Sequence, residues 1–265
     1  ARSMAMIRAL WSAATGMEAK QVALDITANN LANLGTVGFK KSKAEFQDLM
    51  YQVQKKAGSE NSMGSQIPVG IEIGMGTKLS SVQKLFTQGD YVQTGNSFDF
   101  AIEGDGFFQV DDNGNTVYTR AGNFKKNKDG ALCTSEGLKL IPAVTIPADT
   151  VTFTLDSSGT WTCMDTNGNK LSSGKLELAK FVNPAGLASL GRNLFDETDA
   201  SGTANTGNAG QNGYGTISQN YLEMSNVSSV EEMIYMIEAQ RAYELNSKAI
   251  QTADSMLQII ANLKR

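Results

Sequence analysis

The feature that most limits how this chain can fold is a pair of apolar stripes, one at each end, both repeating at helical spacing. From Ile7 the apolar or small residues continue at Leu10, Ala14, Met17, Leu24, Ala28 and Leu31, with Gln21 interrupting one position. Intervals alternating between three and four keep them on one side of a helix, because 3.6 residues complete a turn. Arg8, Ser12, Glu18, Lys20, Asp25 and Asn29 occupy the other side. At 1.5 Å per residue the segment reaches roughly 40 Å, well above an average globular helix. Near the other end, Ser229 with Glu232 has the spacing of a capping box, which satisfies free N–H groups and starts a helix. Val230, Ile234, Ile237, Ala242, Leu245, Ala249, Met256, Ile260 and Leu263 then carry a stripe almost to the last residue.

Two long helices with narrow seams can pair within one chain or between copies. Their origin at opposite ends, and small seam residues such as Ala14, Ala28 and Ala249 that permit close approach of further helices, favour packing between copies. Helices without a tertiary partner are marginal, so an isolated protomer is expected to fray at both ends.

Between the stripes the period changes to two. Phe98, Phe100 and Ile102 alternate with polar or small residues, as do Phe108 and Val110, then Val151, Phe153 and Leu155, then Leu176 and Leu178. TVYT from Thr116 adds a strand without clean alternation, and DDNGN, NKDG, DSSG and DTNGN supply turns. An antiparallel β domain over about 96–183 follows. QKKAGSENSMGSQ from Gln54 and DETDASGTANTGNAGQNGYG from Asp196 have little to bury and read as linkers, or as arms that order against a partner.

Catalytic chemistry finds little support. The 265 residues include no histidine, which removes the commonest general base and zinc ligand. Net charge is −4 with scattered cations, unlike the basic footprint of a nucleic-acid binder, and no apolar run is long enough to span a bilayer. NKLSSGKL lacks the first glycine and the Ser or Thr of a phosphate loop. GYGTIS lacks the third glycine of a dinucleotide loop, and DDNGNT and DTNGNK lack the glycine and glutamate of a calcium loop. Glu103 and Asp105 could serve a glycan hydrolase only by flanking a bond, whereas their interleaving with Gly104 and Gly106 reads as a turn. No catalytic, metal-binding or cofactor-binding residue is assigned. Cys133 and Cys163 read as buried thiols, with a disulfide as the alternative. ARSMAMIRALWSAATG lacks the continuous apolar core of a signal peptide, and residues 1–5 are set aside.

MIRALWSAATGMEAKQVALDITANNLANLGTVGFKKSKAEFQDLMYQ, with its ANNLAN and T-x-GFK elements, resembles the N-terminal signature of the axial proteins of the bacterial flagellum, the rod and hook family. AYELNSKAIQTADSML resembles the matching C-terminal signature, and the likeness runs from Met6 to Arg265. The stretch from Gln54 through IPVGIEIGMGTK and a short middle domain point within that family to the distal rod, with hook or proximal rod as runner-up and a periplasmic glycan hydrolase as the enzyme rival.

The resemblance implies an α+β protein in three parts. Terminal helices at 6–35 and 226–265 form a coiled-coil-like D0 region, and 36–95 with 184–225 make a β-rich connecting domain Dc with an extended arm at about 54–76. Residues 96–183 form the outer domain D1. It further implies a non-enzymatic subunit exported unfolded through the flagellum's own type III pathway without a cleaved signal. Copies would stack into a hollow periplasmic drive shaft transmitting torque from motor to hook. Its partners would be further copies, hook and proximal rod proteins, the periplasmic and outer-membrane ring bushings and the export apparatus, with no nucleic acid and no membrane insertion.

Assembly would run through the seams, Ile7, Leu10, Met17, Leu24, Leu31, Val230, Ile234, Ile237, Leu245, Met256, Ile260 and Leu263. The signature residues Asn29, Asn30, Asn33, Gly38, Phe39 and Lys40 would form an elbow carrying the chain outward. Asn30 and Asn33 are expected to stop the helix with left-handed backbone and main-chain bonds, while Gly35 and Gly38 free the turn. Phe39 would anchor it, and Lys40 would stay in water.

Overall fold

Alternating periods of 3.6 and 2 along the sequence give an α+β protein. The computed structural model describes residues 2–55 and 69–263, the side chains of 2–7, 55, 260 and 263 excepted. One helix, α1, spans Arg2–Ala32 and a second, α2, spans Ser229–Leu263. Among the described residues between them, all is strand and turn apart from a short 3-10 turn at Pro184–Gly186. The chain divides into two compact units, one of Ala1–Leu31, Ser42–Gln83 and Ser229–Arg265, the other of Ala32–Lys41 and Lys84–Ser228.

The first unit holds α1, α2 and two small ribbons, Ser42–Asp48 with Thr77–Lys84 and Gln52–Lys55 with Ile71–Ile73. The base of the expected arm is therefore a strand pair, and 56–68 lie outside the described residues.

The second unit is built on a seven-stranded sheet in the spatial order Ala188–Gly191, Leu194–Asp196, Asn115–Thr119, Phe108–Asp112, Lys139–Ile141, Leu132–Cys133 and Lys125–Lys126. A three-stranded ribbon of Thr152–Leu155, Thr160–Met164 and Lys170–Lys175 accompanies it. Side chains alternate across a strand, so Phe108 and Val117 enter one cluster with Phe100, Ile102, Leu140 and Leu178. Their neighbours Phe107 and Tyr118 enter a second with Phe181, Leu187 and Phe195, on the opposite face. Both faces of these strands are buried, which is why TVYT carries no polar alternation.

The glycine-rich stretch from Asp196 is not a linker. Asn205–Asn208 pairs along its length with Glu177–Lys180, and Ser201 and Ala209 are buried. Gly207 leaves room for the Tyr214 ring, whose nearest carbon would stand 2.5 Å from any β-carbon there. Backbone hydrogen bonding and close approach hold this segment, and composition registers neither. Cys133 and Cys163 are free, buried thiols, the former donating to the Lys125 carbonyl at 3.3 Å. Burial pushes the Cys163 thiol upward, so it stays protonated and inert.

Candidate functional site

The two helices pair through their small residues. A β-carbon at Gly16 of α1 would lie 2.9 Å from Asn246 Nδ2 of α2, and Asn30 Nδ2 donates to Glu232 Oε2 at 3.1 Å. Positions 16 and 30 on α1 thus meet 246 and 232 on α2, so the helices run antiparallel with equal spacing. The buried residues of α2, Glu232, Ala239 and Ala253, repeat with Asn246 at seven-residue steps. On α1 the buried set is Ala13, Ala19, Thr27 and Asn30.

This pairing is the intrachain alternative, and it does not use the apolar stripes. Leu10, Met17, Leu24 and Leu31 are half-buried and sit about a third of a turn away from the paired face of α1. On α2, Val230, Ile234, Ile237, Leu245 and Met256 lie off the line of the buried residues and keep 46 to 65% of their surface exposed. The side chains of Ile7, Ile260 and Leu263 lie outside the described residues. Alanine and glycine let two backbones come close, which suits the hairpin. The larger side chains keep surface to bury, and each forgoes about half of the roughly 1.5 to 3 kcal/mol that full burial contributes.

The elbow follows directly. Thr36 closes the end of α1 with its N–H on the Asn33 carbonyl at 3.2 Å and its hydroxyl on Asn33 Oδ1 at 3.1 Å. Asn30 remains in the helix, and its carboxamide exchanges two 2.9 Å bonds with the main chain of Ser42. Neither asparagine takes left-handed backbone, contrary to expectation; Gly38 does, at φ 69°. Gly38 also packs so tightly that a β-carbon would meet the Ala121 nitrogen at 2.5 Å. Gly35 has open space around it, and Asn29 is exposed. Phe39 is buried, with Lys84 Nζ 5.0 Å above its ring.

Lys40 overturns the expectation that it stays wet. It is 1% exposed, with Nζ 2.6 Å from Glu223 Oε1 and 2.7 Å from the Thr87 carbonyl. A polar side chain after a turn is normally solvated, but here an acceptor pocket is provided by segments remote in sequence. Glu223 Oε1 also accepts the Gly89 N–H at 3.0 Å. Arg120 Nε lies 3.1 Å from Oε2, close enough to pair electrostatically though without the alignment of a hydrogen bond. Arg120 spends other donors on the carbonyls of Gly104 and Gly106 and rests over the Phe107 ring. Burial lowers the Lys40 pKa, opposed by the Glu223 charge and reinforced by Arg120. Arg120 and Glu223 escape sequence reading, since TVYTR and NYLEMS look like ordinary strand ends and only the fold joins them.

Other candidates dissolve. Glu103 ends a strand, Gly104 and Gly106 turn at positive φ, and the exposed Asp105 pairs with Lys180 at 3.0 Å. Among the described residues no cluster of metal-ligating side chains occurs, and no helix is long and apolar enough to cross a membrane.

The elements that carry this geometry are those that known proteins share. Residues 10–40 match the family model for flagella basal body rod protein, 101–163 that for the flagellar hook protein FlgE/F/G D1 domain, and 218–263 that for the flagellar basal body rod FlgEFG protein C-terminal. The flagellar basal-body rod protein FlgG of Borreliella burgdorferi is 46% identical over 98% of this chain and all of its own length. That of Agrobacterium fabrum is 46% identical over 97% of this chain, again over its whole length. The chain belongs to the FlgG family of flagellar basal-body rod proteins. A Bacillus subtilis relative of the same name, 37% identical over 98% of this chain and all of its own, extends the likeness. Rod proteins of this family are structural and not enzymes, which removes the glycan hydrolase reading. The matched termini contain both halves of the helix pair and the elbow.

Proposed function

We propose that copies of this chain assemble helically into the distal rod of the flagellum, a hollow shaft that carries torque across the periplasm from motor to hook. The observation that carries the reading is the unused stripe of α2. A helix already paired on one face, with Val230, Ile234, Ile237, Leu245 and Met256 exposed on another, needs a second partner. A heterologous contact that does not close on itself supplies one in every protomer and generates an open filament. In the assembly the three-part layout applies, with 6–35 and 226–265 as an inner coiled-coil-like D0, 36–95 and 184–225 as Dc, and 96–183 as an outer D1. Seam residues of α1 and α2 then contact neighbouring copies, while hook and proximal rod proteins, ring bushings and the export apparatus are the further partners. Straightness is assigned to the stretch from Gln54 to Gly70.

Electron microscopy of concentrated full-length protein, beside protein lacking α1 and α2, tests the reading. Filaments from the full chain and none from the truncated one are expected. A full chain that stays monomeric at every concentration, with both helices shielded from protease, contradicts it.

A further inference from the structure

Four stretches of chain lead out of the second unit, before Ala32, after Lys41, before Lys84 and after Ser228. The last three are gathered by two side chains at its margin. The Asn226 carboxamide accepts the Lys41 N–H at 2.8 Å through Oδ1, and its Nδ2 donates to the Leu85 carbonyl at 2.8 Å and to the Thr87 hydroxyl at 2.8 Å. Three residues earlier, the Glu223 carboxylate holds Lys40 and the Gly89 N–H, while its carbonyl accepts the Gly38 N–H at 2.8 Å. The loop closes on itself, since the Leu85 N–H donates to the Lys41 carbonyl at 2.9 Å.

From this convergence we infer that Glu223 and Asn226 are positioning residues for rod assembly. They form a polar knot that fixes the separations at which three of the four segments leave the β unit. The inference rests on the assembly reading above. Its logic is one of exactness more than of stability. An apolar contact tolerates sliding by an ångström, whereas a carboxamide bridging Lys41, Leu85 and Thr87 and a carboxylate bridging Lys40 and the Gly89 N–H have one arrangement that satisfies every partner. Repeated in each copy, a small error in those separations accumulates along a filament. The knot borders the second hydrophobic cluster, where Phe86 and Phe107 lie. Its own bonds are polar and lie outside the pairing of the seven-stranded sheet, so it can loosen while that sheet stays folded.

The test uses the full chain in two variants, Lys40→Met, which leaves Glu223 charge-balanced by Arg120, and Asn226→Leu, which keeps bulk and removes the bonds. In the soluble protein, hydrogen exchange at the Gly38, Lys41 and Leu85 amides should accelerate by about tenfold or more, while Phe108–Asp112 exchanges as before. Polymerisation should then need a higher protein concentration, or give filaments of irregular curvature, with the melting temperature of the β unit little changed. Unaltered exchange at those amides overturns the knot. Accelerated exchange with wild-type polymerisation and straightness overturns its role in assembly. Failure of the wild type to polymerise is a different result, since it removes the assembly reading first and the inference with it.

Discussion

Glu223→Gln is expected to damage the protein far more than Lys40→Met, although each removes one end of the same 2.6 Å ion pair. Neither side chain has solvent access, and Arg120 is 4% exposed. Among the described residues Glu223 is the anion that pairs with both buried cations, so its loss strands Lys40 and Arg120 together. Removing one partner of a buried pair costs about 3 to 5 kcal/mol, which for a chain of this size lowers the melting temperature by roughly 6 to 20 °C. Met at position 40 leaves Glu223 with Arg120 and the Gly89 N–H, and the burial cost of an ammonium disappears with the lost bond to Thr87; the net change should fall within about 1 kcal/mol of zero. The glutamine variant carries a pH signature. Burial already lowers Lys40 below its ordinary 10.5, and without Glu223 the value falls further. The unfolded state then binds the extra proton, so stability rises with pH between the lowered folded value and 10.5. Denaturant titrations from pH 6 to 10 should show the defect shrinking. Equal losses in the two variants, or a defect that grows on the alkaline side, would refute the reasoning.

Further outcomes follow from other sites. Gly38→Ala must hold a β-carbon at φ 69° and 2.5 Å from the Ala121 nitrogen, so beyond the roughly 1 to 2 kcal/mol of left-handed strain it should displace the elbow, visible as a lowered melting temperature. Gly16→Leu should wedge α1 from α2 and reduce helical circular dichroism, whereas Gly16→Ala, which meets only the end of the Asn246 side chain, should be mild. Burial raises the Tyr91 pKa to about 12, with Glu223 and Glu103 adding to it. Its contribution is therefore complete below pH 10 and lost as pH climbs through about 12, a loss that Tyr91→Phe should remove in alkaline denaturation curves.

Periodicity made the two helices and the main strands legible, because a stripe at 3.6 or an alternation at two records burial directly. It could not say which partner buries a stripe. Gly16, Thr27 and Asn30 look unremarkable beside Leu24 and Leu31, yet they share the face that meets α2, since close approach rewards small side chains more than large ones. Lys40 misled for a related reason. A lysine next to a turn is wet unless the fold brings an anion to it, and Glu223 arrives from 183 residues away. The strand at Asn205–Asn208 was hidden by its composition, its stability resting on main-chain pairing with Glu177–Lys180.

Methionine oxidation reads the central claim most directly. Met233 and Met256 are 49% and 46% exposed on α2 in the protomer, so dilute peroxide should oxidise both readily in soluble protein. If neighbouring copies cover that face, Met256 should become strongly protected in polymerised protein, followed by peptide mass spectrometry. Oxidation of Met256 at the same rate in filament and protomer would mean that the outer stripe of α2 is not what holds the copies together.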